Sequence, residues 1–570
     1  MIYIFNKLLF LHIFFINLLH PIYMRIYILF LLFLIGTTIV SLYSRQKKNS
    51  LEEIKYTAKD DKNMELNSNY VITRISWTKN EKNKLNYLLG VFEVANDPSF
   101  SDAIPIAMIK DQEVFNETNY IDVNVTQTYK YLRYIPPLYQ NQTDISPIKL
   151  YGKPSSAINA DSKKEFQPTN LPLISIYTQD SAEPLSKEVK IDCQVVIIND
   201  GKTELRENAT IKVRGKSTSA PPKKPYSIKF TKKQKILGLK GSYKKWNLLA
   251  NFFDTSKIRN ALALKMSELM EFEFTPRCFA VDLILNGAYR GNYYLCDDVQ
   301  IGKHRINIDE MNKNDTAEPN ITGGYFFEID DRGEREGYIN LETQKGIKWR
   351  IKEPEEDDIT EEQKEYIIQK MNQFESAAYN GNFTNMDLDS FSKFFLMDEF
   401  CGDPDEISSN YYIYKKRNDD KFYFGPVWDF DLAFDNDNRL YPTNEKTKFL
   451  YGLGSSAGTM FNFTDMLINN KIIINHIKAT WEKLKSTTLN ESILIDFIEQ
   501  EDNHIKESAI LDLTIWNTYA PVRNEYFRHK GEPINNEIRE TDLNEIKEYV
   551  KKRFVCLTSI INKQLQKLNN

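Results

Sequence analysis

The stretch at residues 403–437, DPDEISSNYYIYKKRNDDKFYFGPVWDFDLAFDND, carries the features from which the fold and the function of the chain are predicted. Two apolar runs, 411–414 and 422–427, flank a polar turn at 418–420. Apolar runs of this length around an Asn-Asp turn predict a β-hairpin.

Four polar side chains stand at the outer ends of this hairpin. Asp405 and Asn410 precede the first strand, and Asp429 and Asp431 follow the second. Because a hairpin returns its outer ends to the same place, we expect these oxygens to meet at one edge of a sheet. Carboxylate and amide oxygens are the ligands that Mg²⁺ takes. An acidic surface loop is the simpler alternative, but Asp429 lies in an apolar string, where an unpaired carboxylate is costly to bury.

Length and composition limit the class of protein. A chain of 570 residues exceeds one ordinary core and predicts two or three domains. With 41% hydrophobic and 27% charged residues it is globular, and its net charge of -5 argues against nucleic-acid binding. The five cysteines show no zinc spacing. Cys278 and Cys296 lie on strands that are predicted to pair, so they are the favoured disulfide partners.

The N-terminus, residues 1–44, is a hydrophobic leader. Met24 and Arg25 precede its second apolar stretch, which resembles a secretory signal that starts at an internal methionine. The leader could instead remain as a membrane anchor, or both stretches could insert and hold the body in the cytoplasm. We favour export to the secretory pathway, the extracellular space or the cell surface. Asn-x-Ser/Thr sequons, such as those at Asn208 and Asn382, are compatible with a secreted glycoprotein.

The chain divides into a leader and four further segments. Residues 67–152 contain short β-runs and predict a small β-sandwich. Its last part, 128–152, resembles the final strands of discoidin-type, galactose-binding-like modules; a structural sandwich without a glycan or surface ligand is the alternative. Residues 153–170 are a polar linker. Residues 171–515 have strands first and helices after, which predicts an α+β domain, and residues 516–570 form its C-terminal helical extension.

A basic loop lies within the second β-rich region. Residues 209–230 are predicted to form a strand, a loop and a strand, and the loop contains Arg214, Gly215 and Ser217. Free backbone N–H groups, hydroxyls and cations on a hairpin suit a phosphate. A solvated basic hairpin is the alternative, because the loop lacks a Walker-type motif.

The ordered motifs of residues 171–515 resemble those of the CotH (spore-coat protein H) kinase family. The matching motifs are Arg214-Gly-Lys-Ser-Thr, Lys223-Lys-Pro-Tyr-Ser-Ile-Lys, Leu248-Leu-Ala-Asn-Phe-Phe-Asp, Asn286-Gly-Ala-Tyr-Arg-Gly-Asn and Gly425-Pro-Val-Trp-Asp-Phe-Asp. The resemblance implies a two-lobed, atypical protein-kinase-like fold. It also implies transfer of a phosphoryl group from ATP to protein Ser/Thr with Mg²⁺ or Mn²⁺.

The resemblance implies roles for the acidic hairpin. Asp405 precedes Asn410 by five residues, the spacing between the catalytic Asp and the metal-binding Asn of protein kinases. Asp405 would then orient the substrate hydroxyl and accept its proton. Asn410 and Asp429 would hold the metal, and Asp431 would be a second metal ligand or a structural acid. The two acids that follow, Asp435 and Asp437, are expected in a solvated loop.

The resemblance also implies nucleotide contacts. The loop at 214–219 would cover the phosphates. One lysine among Lys223, Lys224 and Lys229 would bridge the α- and β-phosphates, with Lys224 or Lys229 favoured. Glu268, on a predicted helix, would fix that lysine or would be a plain surface glutamate. Asp297 lies where a hinge would meet adenine, at a place where related chains usually carry Glu, so adenine or metal contacts there could differ.

Two other functions compete with the kinase. The protein could be a non-catalytic surface adhesin or scaffold that binds a glycan or a surface through its sandwich. The Asp429-Phe430-Asp431 motif is formally the DxD of a glycosyltransferase, although the parallel-sheet pattern of that fold is missing. For the kinase, the expected partner is a Ser/Thr-rich secreted or surface protein, with no nucleic acid and with membrane contact only through the leader.

Overall fold

The structure is a computed structural model. It describes residues 52–60, 62–78, 87–111, 118–123, 127–138, 148–154, 164–329, 339–405, 409–451, 453, 459–517 and 535–570. The leader predicted at residues 1–44 lies outside these ranges. Within them, no helix combines the length and the apolar character that crossing a membrane requires.

The N-terminal part is β-rich. Eight strands form one antiparallel sheet in the order β1-β8-β3-β7-β4-β5, with β2 and β6 also paired to β3. Ile72, Phe92, Leu132 and Leu150 lie in its core. The strands are β1 (Glu52–Ile54), β2 (Tyr56–Ala58), β3 (Asn63–Thr78), β4 (Val91–Ala95), β5 (Ile104–Met108), β6 (Thr118–Asp122), β7 (Tyr129–Ile135) and β8 (Ile148–Pro154).

Seven strands then close a barrel in the order β10-β11-β12-β13-β15-β14-β9. Side chains alternate across it: Tyr226 and Ile228 of β12 are buried, whereas Lys229 is exposed on the outer face. Cys278 of β14 lies directly opposite Cys296 of β15, and both are free thiols. The strands are β9 (Leu173–Thr178), β10 (Ile191–Asn199), β11 (Lys202–Val213), β12 (Tyr226–Gln234), β13 (Tyr243–Leu249), β14 (Cys278–Leu285) and β15 (Ala288–Asp297).

The second half of the predicted linker belongs to the barrel rather than to a free connection. Thr169 donates a 2.6 Å hydrogen bond from Oγ1 to Asp282 on β14. The backbone N–H of Gly201 donates to the side chain of Gln167 at 2.6 Å. Polar composition indicated a linker at 153–170, but these side chains pair with buried groups of the barrel.

A five-stranded sheet in the order β17-β18-β16-β19-β20 contains the predicted acidic hairpin. Tyr414 of β19 lies opposite Tyr423 of β20, which confirms the hairpin. The second strand ends at Phe424, earlier than predicted, because Pro426 offers no N–H to a ladder. The strands are β16 (Tyr325–Ile329), β17 (Ile339–Glu342), β18 (Lys348–Glu353), β19 (Tyr411–Lys415) and β20 (Phe422–Phe424).

The described residues contain seven α-helices, most of them after the barrel. Thr360 begins α2 with a capping box, as its sequence favours. The sequence of residues 464–486 predicts one helix, but the structure has two, because the Asn470 side chain caps a new helix by accepting from the N–H of Ile472. The helices are α1 (Arg259–Leu269), α2 (Glu361–Tyr379), α3 (Leu388–Cys401), α4 (Thr459–Ile468), α5 (Lys471–Ser486), α6 (Glu491–Trp516) and α7 (Asn536–Asn569). The expected α+β class is confirmed.

The N-terminal sheet packs directly on the barrel and on α6. Val91 shares one buried cluster with Ile284 of the barrel and Trp516 of α6. Glu93, fully buried, accepts hydrogen bonds from Arg133 at 2.7 Å and from the Tyr177 hydroxyl of the barrel at 2.8 Å. Apolar burial and a satisfied buried carboxylate therefore join the two parts.

Candidate active site

The basic loop and the acidic hairpin meet at Trp428. The guanidinium carbon of Arg214 lies 5.3 Å from the centre of the Trp428 ring, within the range of a cation–π contact. Trp428 immediately precedes Asp429. Residues of both loops act on the pKa of the buried Tyr412 hydroxyl. Burial and Glu328 raise this pKa, Asp429 raises it further, and Arg214 opposes the rise. The structure thus brings together two predicted loops that are about 200 residues apart in the sequence.

Several carboxylates lie close together around the acidic hairpin. Asp431 is buried, and burial together with Asp429 and Asp254 raises its pKa well above the usual range. Burial and Asp405 do the same for the pKa of Asp403. The negative charges are therefore close enough to repel one another, which burial makes more costly.

The side-chain oxygens at the ends of this hairpin are of the type that a hard divalent cation binds. Asp429 and Asp431 offer carboxylate oxygens, and Asn410, half-buried, offers an amide oxygen just before β19. A cation would offset the mutual repulsion that raises the pKa of Asp431. In the part of the chain that the structure describes, no three His, Cys, Asp or Glu side chains are placed to hold a metal together. Mg²⁺ usually binds through one or two carboxylates together with substrate phosphates.

Asp405 is held by an arginine. Arg439 donates from Nη1 to Asp405 at 2.7 Å, and from Nε and Nη2 to Asp437 at 2.9 and 3.0 Å. Asp437 is only 2% exposed, and Asp435 accepts from the N–H of Thr443 at 2.9 Å. The solvated loop expected for these two acids is thus wrong, because both carboxylates are bonded within the fold.

The acidic loop is also bonded to the first residues of α1. The N–H of Phe430 donates to Asn260 at 2.8 Å. Arg259 donates to the carbonyl of Ala433 at 3.0 Å, and its guanidinium lies between Asp254 and Asp542 of α7. These buried bonds set the backbone on which Asp429 and Asp431 stand.

The two lysines favoured as phosphate ligands do not reach the acidic hairpin. Lys224 turns back on its own loop and donates to the carbonyls of Ser219 at 2.8 Å and Ala220 at 3.2 Å. Lys229 points outward from the barrel into solvent. The bridging role expected for either lysine is not supported, because strand alternation and loop closure direct them elsewhere.

The third candidate lysine, Lys223, is fixed by a helix. Lys223 is fully buried, and its Nζ donates to the carbonyl of Asn292 at 2.5 Å and to the carboxylate of Asp512 on α6. Lys257 shares the same carboxylate at 3.2 Å. Burial lowers the pKa of Lys223 to about 7, although Asp512 opposes that shift. A Cβ at Gly291 would collide with the Asp512 carboxylate, so glycine permits this approach.

The family model described as CotH kinase protein matches residues 211–557, more than half of the chain. This chain belongs to the CotH kinase family. One solved structure, CBM62 from Clostridium thermocellum Xyl5A, is 25% identical over 16% of this chain and 69% of that chain, with a TM-score of 0.15. None of the curated proteins matches.

The two remaining nucleotide-contact residues of this CotH family chain lie away from the basic loop. Of the two alternatives for Glu268, the structure shows the plain surface glutamate: its side chain is 66% exposed and pairs with Lys265 one turn away. Asp297 is fully buried, and its carboxylate accepts from Arg277 at 2.7 Å and from Arg305 at 3.0 Å. Because two guanidiniums occupy it, its carboxylate has a structural role rather than a nucleotide contact.

Three acids of this CotH chain were not predicted as site residues. Asp403 stands two residues before Asp405, so its proximity could have been inferred. Asp254 closes one of the matching motifs but was given no role at the site. Asp512 has no local signal, because its lysine partners are more than 250 residues away in the sequence.

Proposed function

We propose that the protein is an ATP- and divalent-metal-dependent protein kinase that transfers the γ-phosphoryl group to Ser/Thr of secreted or surface proteins. Membership of the CotH kinase family supports a kinase-like function. The observation that carries the proposal is the contact of Arg214 with Trp428, which places the basic loop beside Asp429. The barrel and the sheet-and-helix part would act as the two lobes.

The proposal assigns roles by charge and position. Phosphoryl transfer depends mainly on positioning and on neutralising negative charge. Asp405 would orient the substrate hydroxyl and accept its proton. Asn410, Asp429 and Asp431 would hold Mg²⁺ or Mn²⁺, which supplies charge neutralisation at the phosphate oxygens. Arg214, together with the N–H groups of its loop, would face the phosphates.

A second candidate is a non-catalytic surface adhesin or scaffold. The observation that favours it is the placement of the lysines: Lys223 is buried against Asp512, Lys224 bonds its own loop, and Lys229 faces solvent. In that case the body would recognise a partner without transfer, and the N-terminal sheet would bind a glycan or a surface.

Labelled ATP separates these functions. The full chain is incubated with γ-labelled ATP, Mg²⁺ or Mn²⁺ and dephosphorylated casein, beside D405N, D429A and the control D122N, whose carboxylate is exposed on the N-terminal sheet. We expect label transfer by the parent and by D122N, and a loss of about 100-fold or more in D405N and D429A. No transfer by the parent, or equal transfer by D405N, contradicts the kinase.

Export is part of the proposal. The predicted leader at residues 1–44 would direct the protein to the secretory pathway, where its acceptor proteins would also be. Intact-mass analysis of protein recovered from the culture medium tests this: a mass lacking the leader supports cleavage and export. Retention of the full mass inside the cell contradicts it.

A further inference from the structure

Arg439 connects two aspartates that the sequence places far apart. Asp405 comes 34 residues before it, and Asp437 comes two residues before it. One guanidinium nitrogen, Nη1, donates to Asp405 at 2.7 Å, while Nε and Nη2 donate to the two oxygens of Asp437. All three donating groups of the guanidinium are therefore directed at carboxylates.

The guanidinium is anchored on its Asp437 side. Asp437 accepts from Nε at 2.9 Å, from Nη2 at 3.0 Å and from the backbone N–H of Arg439 at 2.8 Å. The side chain of Asp437 is 1% exposed, whereas those of Arg439 and Asp405 are about one-fifth exposed. A planar fork with two bonds to a buried carboxylate has a fixed direction. That direction sets where Nη1 meets Asp405.

The charges around Asp405 make this contact consequential. Asp403, Asp429 and Asp431 all lie on the same side of the fold, and Asp405 raises the pKa of both Asp403 and Asp431. A lone carboxylate among them would be repelled from its neighbours. Arg439 supplies the positive charge that faces the Asp405 carboxylate among these acids.

We propose that Arg439 is a positioning residue that holds the carboxylate of Asp405 in the orientation needed to accept the proton of the substrate hydroxyl. This inference rests on the proposed kinase function. Asp437 acts only through Arg439 and contributes no contact with substrate. The pair thus extends the site beyond the family motif at 425–431, to Arg439 and to Asp437, which was expected in a solvated loop.

Steady-state kinetics of R439Q and R439K test the proposal, with dephosphorylated casein as acceptor. We expect R439Q to lower kcat by about 30- to 100-fold, while KM for ATP stays within about twofold. R439K keeps the charge but not the fork, so it should retain more activity, about tenfold below the parent. R74Q is the matched control, because Arg74 is a similarly half-buried arginine paired with Asp122 on the N-terminal sheet.

The double variant D437N/R439Q distinguishes positioning from general damage. If Asp437 acts only through Arg439, the double variant should be no slower than R439Q alone. Equal thermal unfolding of R439Q and R74Q shows that the fold is intact. An R439Q enzyme with the parent's kcat, or additive losses in the double variant, overturns the positioning role. An inactive parent overturns the kinase proposal itself, and this inference with it.

Discussion

At the scale of single residues, burial changes the proton affinity of carboxylates well away from the candidate site. Glu375 of α2 is 1% exposed, and burial raises its pKa to about 7, although Thr343 and the Trp349 indole oppose the shift. The folded state therefore holds a proton that the unfolded chain, with a pKa near its ordinary value, releases at lower pH. The stability contribution is present below the unfolded pKa and is lost as pH rises through the folded pKa.

E375Q removes this pH dependence. Glutamine keeps the shape and cannot ionise, so E375Q should be more stable than the parent at pH 8, by up to about 3 kcal/mol, and similar to it near pH 4.5. Urea unfolding at both pH values measures the difference. E365Q, an exposed position of the same helix, is the control and should match the parent. A variant that is less stable than the parent at pH 8 contradicts the expectation.

At the scale of elements, α6 is joined to the end of the basic loop through one buried carboxylate, that of Asp512. The Asp512 carboxylate forms ion pairs with Lys223 and Lys257, and it accepts a hydrogen bond from the N–H of Asn292 at 3.0 Å. Below the lowered pKa of Lys223, two ammonium groups share one buried carboxylate, which leaves an excess of positive charge. Removing the carboxylate leaves both cations without compensation, whereas removing Lys223 leaves a matched pair.

The two substitutions should therefore differ. D512N is expected to lower the free energy of unfolding by about 3–5 kcal/mol, and K223M by less. Combining them should recover part of the D512N loss, because one buried cation is gone. Urea unfolding of the two single variants and the double variant measures the coupling. If K223M and D512N losses add, the shared-carboxylate account fails.

At the scale of the whole molecule, the N-terminal sheet and the barrel form a continuous body. Glu93 accepts hydrogen bonds from Arg133 of its own sheet and from Tyr177 of the barrel. The buried apolar cluster that contains Trp516 also spans the two parts. We expect one cooperative unfolding transition rather than two, because the buried interface links the two cores.

E93A tests this continuity. The substitution should leave Arg133 and the Tyr177 hydroxyl unpaired at the interface. It should lower the free energy of unfolding of the whole protein by about 3–5 kcal/mol, and Tm with it. Calorimetry gives both Tm and the number of transitions. E65A is the control: Glu65 forms surface ion pairs within the N-terminal sheet and should cost less than about 1 kcal/mol. Two separate transitions in the parent would contradict a single body.

The sequence by itself determined the α+β class, the family, the acidic hairpin and most helices, because these follow from local periodicity, capping residues and contiguous motifs. The Thr360 capping box and the Tyr411–Lys415 strand are examples. Sequence order also indicated that Asp405 and Asp429 flank one hairpin.

Only the tertiary structure decided which charges pair. Lys223 meets Asp512, Asp297 lies between two arginines, and Arg439 links Asp437 to Asp405. Ion pairs depend on which distant surfaces are buried together, and burial sets both the cost of a lone charge and its partner. No local pattern in the sequence encodes that choice.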